Sequence, residues 1–183
     1  PVFDMRSGRV LFWLDTWASL RRLGIALLVS ATLGLVLAVA ICVVPRLRAL
    51  LSPMLSTVAM VPPLALLPIL FIALGLNETS KIALIVIGIA PVIARDLALK
   101  IGELPSEQWV KAQTLGASTW QLVTRVVLPQ VWPRLIDSLR LTLGSAWLFL
   151  IAAEAIASTE GLGYRIFLVR RYLAMDVILP YVV

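Results

Sequence analysis

Few side chains in this sequence could carry out chemistry. The chain contains no histidine and a single cysteine, Cys42. These counts exclude serine–histidine triads, imidazole acid–base catalysis, intrachain disulfides and multi-cysteine metal sites. The sequence also lacks a Gly-x-x-x-x-Gly-Lys-Ser/Thr phosphate-binding loop. We therefore predict a protein that is not an enzyme and that holds no metal or cofactor through this chain.

One carboxylate, Glu154, lies in the otherwise apolar stretch 152–157. An ionised group in such a setting is costly unless it is paired, so it is a functional hypothesis by default. Two interpretations stay open: a group on a pathway through the protein, or a carboxylate satisfied by neighbouring helices. No basic residue lies between Arg140 and Glu154. A partner must therefore come from another helix, a second copy or water.

The composition indicates a membrane protein. Hydrophobic residues make up 61% of the 183 residues and charged residues only 14%, with 16 Lys and Arg against 10 Asp and Glu, a net charge of +6. Globular chains have about 45–50% apolar and about 25% charged residues. The basic residues flank long uncharged runs, which favours a lipid bilayer over nucleic acid as the partner.

Four apolar segments are predicted to cross the membrane in an all-α, polytopic domain over residues 1–183. They are residues 23–44, 54–76, 82–101 and 133–157, with centres near Val36, Leu66, Ile87 and Phe149. The first would be roughly 33 Å long, which matches a bilayer core. A fifth segment begins at Val177 and is cut short, so we expect a fragment of a longer polypeptide.

Two of these segments carry further signals. Ser30, Gly34 and Ala38 recur every four residues and form a small-residue face, on which another helix can approach closely. The segment 54–76 is interrupted by Pro62, Pro63 and Pro68. Prolines remove backbone donors that lipid cannot replace, so this segment is either a broken helix beside a watery path or a kinked span.

Residues 102–132 have a different character, with polar residues at short intervals. A helix is expected to begin near Ser106 and to end at Gly116. Ser118 and Gln121 have the spacing of a capping box, which predicts a second short helix. Pro133 is expected to be the first residue of the next long helix. Two short helices joined at a glycine predict a surface for a partner protein.

This region resembles the EAA signature of ABC importer permeases. Gly116 is followed by Val126, Val127, Leu128 and Pro129 at the spacing of the second half of that signature. In the first half, Val110, Lys111 and Ala112 occupy the Glu-Ala-Ala positions and only Ala112 matches. The strings at 61–64, 78–81, 114–122, 139–144, 152–154 and 161–164 resemble the nitrate/sulfonate/taurine branch. The resemblance runs from about Leu20 to Tyr164.

The resemblance implies the fold of a type I ABC importer permease and a coupling helix, near residues 106–115, that docks on a cytoplasmic ATPase. The residues that it assigns to ATPase coupling are Glu107, Val110, Lys111, Ala112, Gly116, Ala117, Leu128 and Pro129. Candidates for the translocation path are Pro62, Pro63, Pro68, Trp147 and Glu154.

The partners implied by the resemblance are cytoplasmic ATPase subunits that bind ATP and Mg²⁺, an extracytoplasmic solute-binding protein and a second permease copy in a homodimer. The implied location is the bacterial inner membrane. The solute stays open among nitrate, sulfonate, taurine and related small compounds. Basic residues are equally numerous on both sides of the predicted spans, so the positive-inside rule does not decide the orientation. The alternatives are a helical channel or secondary transporter, and a membrane scaffold.

Overall fold

The computed structural model describes residues 3–4, 9–170 and 178, and this part of the chain is almost entirely helical. The backbone divides into two compact units. Unit 1 comprises Pro1–Leu27, Pro62–Ile87 and Gly144–Val183, and unit 2 comprises Leu28–Val61 and Gly88–Leu143. A two-residue antiparallel pair, β1 (Phe3–Asp4) with β2 (Arg9–Val10), precedes the helices.

The helices follow in chain order. They are α1 (Leu11–Val43), α2 (Pro45–Val58), a 3₁₀ turn (Pro63–Leu66), α3 (Leu67–Leu74), α4 (Glu78–Gly102), α5 (Ser106–Thr114), α6 (Thr119–Leu122), a π turn (Val123–Val127), α7 (Leu128–Ala157) and α8 (Leu162–Arg170). In the described chain, α1, α4 and the run Thr119–Ala157 are long and apolar enough to cross a membrane.

Helix α1 begins well before the predicted segment 23–44. The sequence places Arg21 and Arg22 at the border of that segment, which suggested a helix end. Asp15, Ser19 and Arg22 instead share one face of α1, four and three residues apart, and all three side chains are buried. The helix continues through them because each polar group has a partner inside the protein.

The predicted second span is not a continuous helix. Helix α2 ends at Val58, and helical structure resumes only at Pro63. The two helical pieces form a broken pair that would count as a fourth crossing only if taken together. Pro62 and Pro63 explain the break, because adjacent prolines supply no backbone donors and disfavour α geometry in the preceding residue. The helix is therefore broken and not merely kinked, and the watery path beside it remains a prediction.

The prediction that a helix begins at Pro133 is wrong. Helix α7 runs through Pro133 and is preceded by the π turn. A wider π turn accommodates the ring of Pro129, which would otherwise clash with the carbonyl four residues earlier. Inside a membrane protein, the carbonyl freed by Pro133 can be satisfied by neighbouring groups. The predicted fifth span, from Val177, lies outside the described residues apart from residue 178.

Each unit has its own close packing. In unit 1, α3 packs its apolar face on α4 and α7; the cluster comprises Leu67, Leu84 and Ala153 with Leu70, Phe71 and Phe149 around it. In unit 2, a Cβ on Gly34 would lie 2.6 Å from Cγ2 of Ile93. Ser30 and Ala38 on the same face are fully buried. The small-residue face therefore lets α4 approach α1 closely, as predicted.

Candidate functional site

Residues 102–132 in unit 2 do not fold as two separate short helices: the short helix α5 is followed by a tight glycine turn and by a helical run from Thr119 that continues through the π turn into α7. Helix α5 ends in a Schellman motif, in which Ala117 N–H donates to Ala112 C=O (3.0 Å) and Gly116 N–H donates to Gln113 C=O (2.9 Å). Gly116 has φ +78°, a left-handed conformation that glycine adopts without a Cβ penalty. The sequence therefore specifies both the end of α5 and the direction of the next turn.

The predicted capping box at the start of α6 is confirmed. Gln121 N–H donates to Ser118 Oγ, and Ser118 N–H donates to Gln121 Oε1 at 2.9 Å. These reciprocal bonds satisfy two donors that a helix start leaves without partners. Together with the Schellman motif they define the backbone across the junction between α5 and the helical run that begins at Thr119.

The loop exposes large apolar side chains. Val110 is 57% exposed, Trp120 is 75% exposed and Leu115 is 86% exposed. Glu107 and Lys111 are exposed beside them. Apolar groups mixed with charges on a short protruding element are typical of a protein-docking surface.

The residues assigned to ATPase coupling divide by exposure. Glu107, Val110, Lys111, Gly116 and Pro129 are exposed, whereas Ala112, Ala117 and Leu128 are half-buried. The half-buried residues therefore serve the local structure of the loop, and the exposed ones are free to meet a partner.

A contact that the sequence did not reveal fastens α5 to α7. Gln130 Nε2 donates to Gln108 Oε1 at 2.9 Å and to Val126 C=O at 2.8 Å. Neither glutamine belongs to a recognisable motif, and no spacing rule connects residues on different helices. The bond couples the orientation of the short helix to that of a long one.

The path candidates lie in unit 1 with different surroundings. Pro63 and Pro68 stand in the first turns of the 3₁₀ turn and of α3, where a missing N–H costs nothing. Pro62 and Pro68 are exposed, and Pro63 and Trp147 are half-buried. Glu154 is fully buried. Helix starts therefore account for the prolines, and their role on a path remains a prediction.

Glu154 is the centre of a buried charge cluster. Its carboxylate accepts hydrogen bonds from Ser19 Oγ (2.8 and 2.9 Å), Arg22 Nη1 (2.7 Å) and Gly163 N–H (2.9 Å). Ser19 and Arg22 lie on α1, so the partner does come from another helix. The carboxylate faces protein, and a lipid-facing placement is excluded.

Arg22 connects Glu154 to the start of α4. Its guanidinium donates to both carboxylate oxygens of Glu78, to Glu160 C=O at 3.0 Å and to Glu160 Oε1 at 3.3 Å. Lys81 Nζ completes this arrangement by donating to Glu78 Oε1 at 2.7 Å and to Ser158 Oγ at 3.0 Å. The Arg22 side chain is only 2% exposed, and its donors meet acceptors on three separate segments of the chain.

Asp15 anchors the turn that follows α7. Its carboxylate accepts from Gly161 N–H at 3.0 Å and from Arg165 Nε at 2.8 Å. Ser19 Oγ accepts from Leu162 N–H at 2.9 Å. The buried face of α1 therefore holds the start of α8 through backbone donors that α8 leaves without partners in its own first turn.

Glycine is required where the turn meets Glu154. Gly161 has φ +118°, and a Cβ there would lie 2.6 Å from the Glu154 carboxylate. A Cβ on Gly163 would lie 2.5 Å from Ile151 C=O. The Gly-Leu-Gly string thus has a steric explanation, since the backbone must pass directly over the carboxylate.

The cluster holds separate segments of the chain together. Its members are Asp15, Ser19, Arg22, Glu78, Lys81, Glu154, Ser158, Glu160 and Arg165. Among the described residues, no group of three or more His, Cys, Asp or Glu side chains could hold a metal ion. Removing one partner from a buried ion pair costs about 3–5 kcal/mol, so the cluster is expected to act as a clamp.

Comparison with known proteins identifies the family. Residues 30–183 match the binding-protein-dependent transport system inner membrane component. The taurine transport system permease protein TauC of Escherichia coli is 37% identical over 167 residues, covering 91% of this chain and 61% of its own length. The putative aliphatic sulfonates transport permease protein SsuC of Bacillus subtilis is 31% identical over 154 residues, covering 84% and 56%.

The chain thus spans about three fifths of the length of these relatives. Among solved structures, a chain of the inward-facing MetNI methionine ABC transporter superposes with a TM-score of 0.82 at 21% identity, over 94% of this chain and 86% of that one. That likeness shows a shared all-helical permease fold. The sequence match over most of the chain and the shared fold agree: this chain belongs to the family of inner membrane components of binding-protein-dependent transport systems.

Proposed function

We propose that this chain is the transmembrane permease subunit of an ATP-driven importer and that the 102–132 loop couples it to an ATPase. The observation that carries the proposal is the loop itself, a structured element with exposed Val110, Leu115 and Trp120. Large apolar side chains that face solvent on a short, well-capped element are typical of a protein-docking surface.

Coupling requires that a movement of the ATPase be transmitted through the loop to the long helices. The Gln108–Gln130 hydrogen bond joins α5 to α7, and the helical run from Thr119 continues through the π turn into α7 without a break. A load applied to α5 is therefore transmitted as a rigid-body displacement. The permease contributes no chemistry, and ATP bound with Mg²⁺ in the ATPase biases it between inward- and outward-facing states.

The proposed assembly contains two copies of this permease, two cytoplasmic ATPase subunits and an extracytoplasmic binding protein that delivers the solute. It resides in the inner membrane of a bacterium, with the 102–132 loop in the cytoplasm. Two copies related by a two-fold axis would line one path between them. The proline-interrupted segment and Trp147 are the proposed path-lining elements.

The proposed solute class is small sulfonates, with taurine as the first compound to test. The relatives reported above are named for taurine and for aliphatic sulfonates. Within this chain, Glu154 is not proposed as a solute ligand, because its oxygens already accept from Ser19, Arg22 and Gly163. Its proposed role is to hold the turn between α7 and α8 in place at the outer gate.

A substitution at Gly116 tests the coupling assignment. Valine has a β-branched side chain that disfavours the left-handed conformation of this residue, and nothing lies within 4 Å of the site to clash with it. Gly116→Val in the full-length permease should therefore redirect the loop and leave the membrane helices intact. Co-purification with the ATPase and solute-dependent ATP hydrolysis in liposomes should fall by about 5- to 30-fold, as a strain of about 1–2 kcal/mol implies.

Gly24→Val is the matched control. Gly24 lies in α1, outside the 102–132 loop, with open space around its Cβ position and a φ outside the left-handed range. This variant should retain association with the ATPase and ATP hydrolysis. Normal coupling in Gly116→Val would remove the loop from the mechanism, and solute uptake without ATP would favour a channel or secondary transporter instead.

A further inference from the structure

Unit 2 contains a positively charged cavity at the end of two apolar helical segments. Its volume is about 210 Å³, several times the roughly 30 Å³ that one water molecule occupies. Arg48 and Arg95 line it together with two hydroxyl groups, those of Ser52 and Ser56. None of the residues that line it is acidic, within the part of the chain that the structure describes.

The two arginines are exposed, and they lack the carboxylate partner that the buried and half-buried cations of the described chain have. Arg22, Lys81 and Lys100 each contact a carboxylate. Of the described residues, none forms an ion pair with Arg48 or Arg95, although Asp96 is the immediate neighbour of Arg95 and pairs with Lys100 instead. Two guanidinium groups that share a cavity without a counter-ion attract an anion.

The sequence positions of Arg48 and Arg95 indicate how deep in the membrane the cavity lies. Arg95 directly follows the uncharged run 82–94, and Arg48 follows the uncharged run 23–45. Charges at the ends of such runs stand at the level of the lipid headgroups. The rest of the lining is apolar and comprises Ile41, Leu55, Ala98 and Leu99 with the Cys42 thiol. If the phosphate of a phospholipid lay at the two arginines, its acyl chains would contact these apolar residues.

We propose that this cavity binds the phosphate headgroup of an anionic phospholipid, held by Arg48 and Arg95 with Ser52 as a further donor. The lipid fastens the junction of α1 and α2 to the end of α4. A free phosphate offers the same oxygens but has no acyl chain to cover Leu55 and Leu99. The inference requires only that these helices stand in a membrane, so it does not depend on the solute or on ATPase coupling.

Native mass spectrometry of the full-length permease tests the proposal. The protein is released from nanodiscs made of an equimolar mixture of phosphatidylglycerol and phosphatidylcholine, and the lipids that remain bound are counted. Wild type should retain phosphatidylglycerol preferentially. Arg48→Gln/Arg95→Gln should lower that preference by roughly 30-fold, as two surface cations near an anionic headgroup imply.

Two further variants distinguish binding at this cavity from a general attraction of anionic lipids to positively charged residues. Arg46→Gln removes an exposed cation of the same helix that does not line the cavity, so it should lower the preference by no more than the roughly fivefold that one cation near the headgroups contributes. Arg48→Lys/Arg95→Lys keeps both charges and should retain most of it. Unchanged preference in the double glutamine variant, or equal loss in Arg46→Gln, would overturn the proposal. Release of phosphatidylglycerol by millimolar inorganic phosphate would reassign the cavity to free oxyanions.

Discussion

The buried charge cluster of unit 1 and the 102–132 loop of unit 2 satisfy their polar groups in opposite ways. In the cluster, Glu154 is fully buried, and it accepts hydrogen bonds from Ser19, Arg22 and Gly163. In the loop, Glu107 and Lys111 are exposed to solvent. The polar groups of the cluster are bonded to other groups of the chain, whereas Glu107 and Lys111 of the loop face solvent.

This difference predicts which property of the protein changes when each region is mutated. A buried charge that loses its partner carries an uncompensated desolvation cost, so substitutions in the cluster should lower the free energy of unfolding. Surface side chains contribute little to folding, and changes there are usually within about 0.5 kcal/mol. Substitutions in the cluster should therefore lower the stability of the fold, and substitutions in the loop should weaken binding to the ATPase.

The largest effect is expected at Glu154. Glu154→Leu leaves Gly163 N–H without its acceptor and removes one of the carboxylates that pair with Arg22, which keeps Glu78. The loss of stability should therefore be about 3 kcal/mol, the lower end of the range for a broken buried pair. Glu154→Gln preserves the shape and one acceptor oxygen, and it should retain much of the transport. Thermal unfolding of the purified permease, with uptake in liposomes, measures both. Equal and complete loss of transport in two well-assembled variants would indicate that the charge itself is required.

A smaller effect is expected at the glycine turn. Gly161→Ala places a Cβ 2.6 Å from the Glu154 carboxylate in a left-handed backbone, so we expect a loss of about 1–3 kcal/mol through strain. Gly144→Ala is the control, because Gly144 is helical with nothing within 4 Å of its Cβ position. The control should match or exceed the wild-type melting temperature. A Gly161→Ala variant as stable as the control would show that the Glu154 carboxylate can move aside without a loss of stability.

The smallest effect on folding, with a large effect on association, is expected at Leu115. This side chain is 86% exposed at the end of α5, so Leu115→Glu should change the free energy of unfolding by less than about 0.5 kcal/mol. Placing a charge in a docking surface should weaken ATPase binding by about tenfold or more. Leu115→Met, which keeps the apolar contact, serves as the control in the same pull-down. If Leu115→Glu unfolds the protein and spares binding, the contrast between the two regions is wrong.

Local patterns in the sequence predicted much of the 102–132 loop. The spacing of Ser118 and Gln121 predicted the capping box, and Gly116 predicted the end of α5. These features depend on residues that are close in sequence, so a single window contains all of the information. The small-residue face around Gly34 was predictable for the same reason, although its partner, Ile93, was not.

The apolar segments were predicted better than their ends. Arg21 and Arg22 look like the border of a span, yet α1 begins at Leu11 because Arg22 finds Glu78 and Glu154. Pro133 looks like a helix start, yet α7 continues through it. In both cases a tertiary environment satisfied a group that the local rule treats as a terminator.

The sequence by itself determined the class of molecule, because composition and hydrophobic run lengths depend only on which residues are present. It determined that this is an all-helical membrane protein without histidine chemistry, and it marked Glu154 as a carboxylate in need of a partner. Only the tertiary structure decided that the partners are Ser19 and Arg22, more than 130 residues away. Ion pairs over such separations follow from how helices pack, and no local spacing encodes that choice.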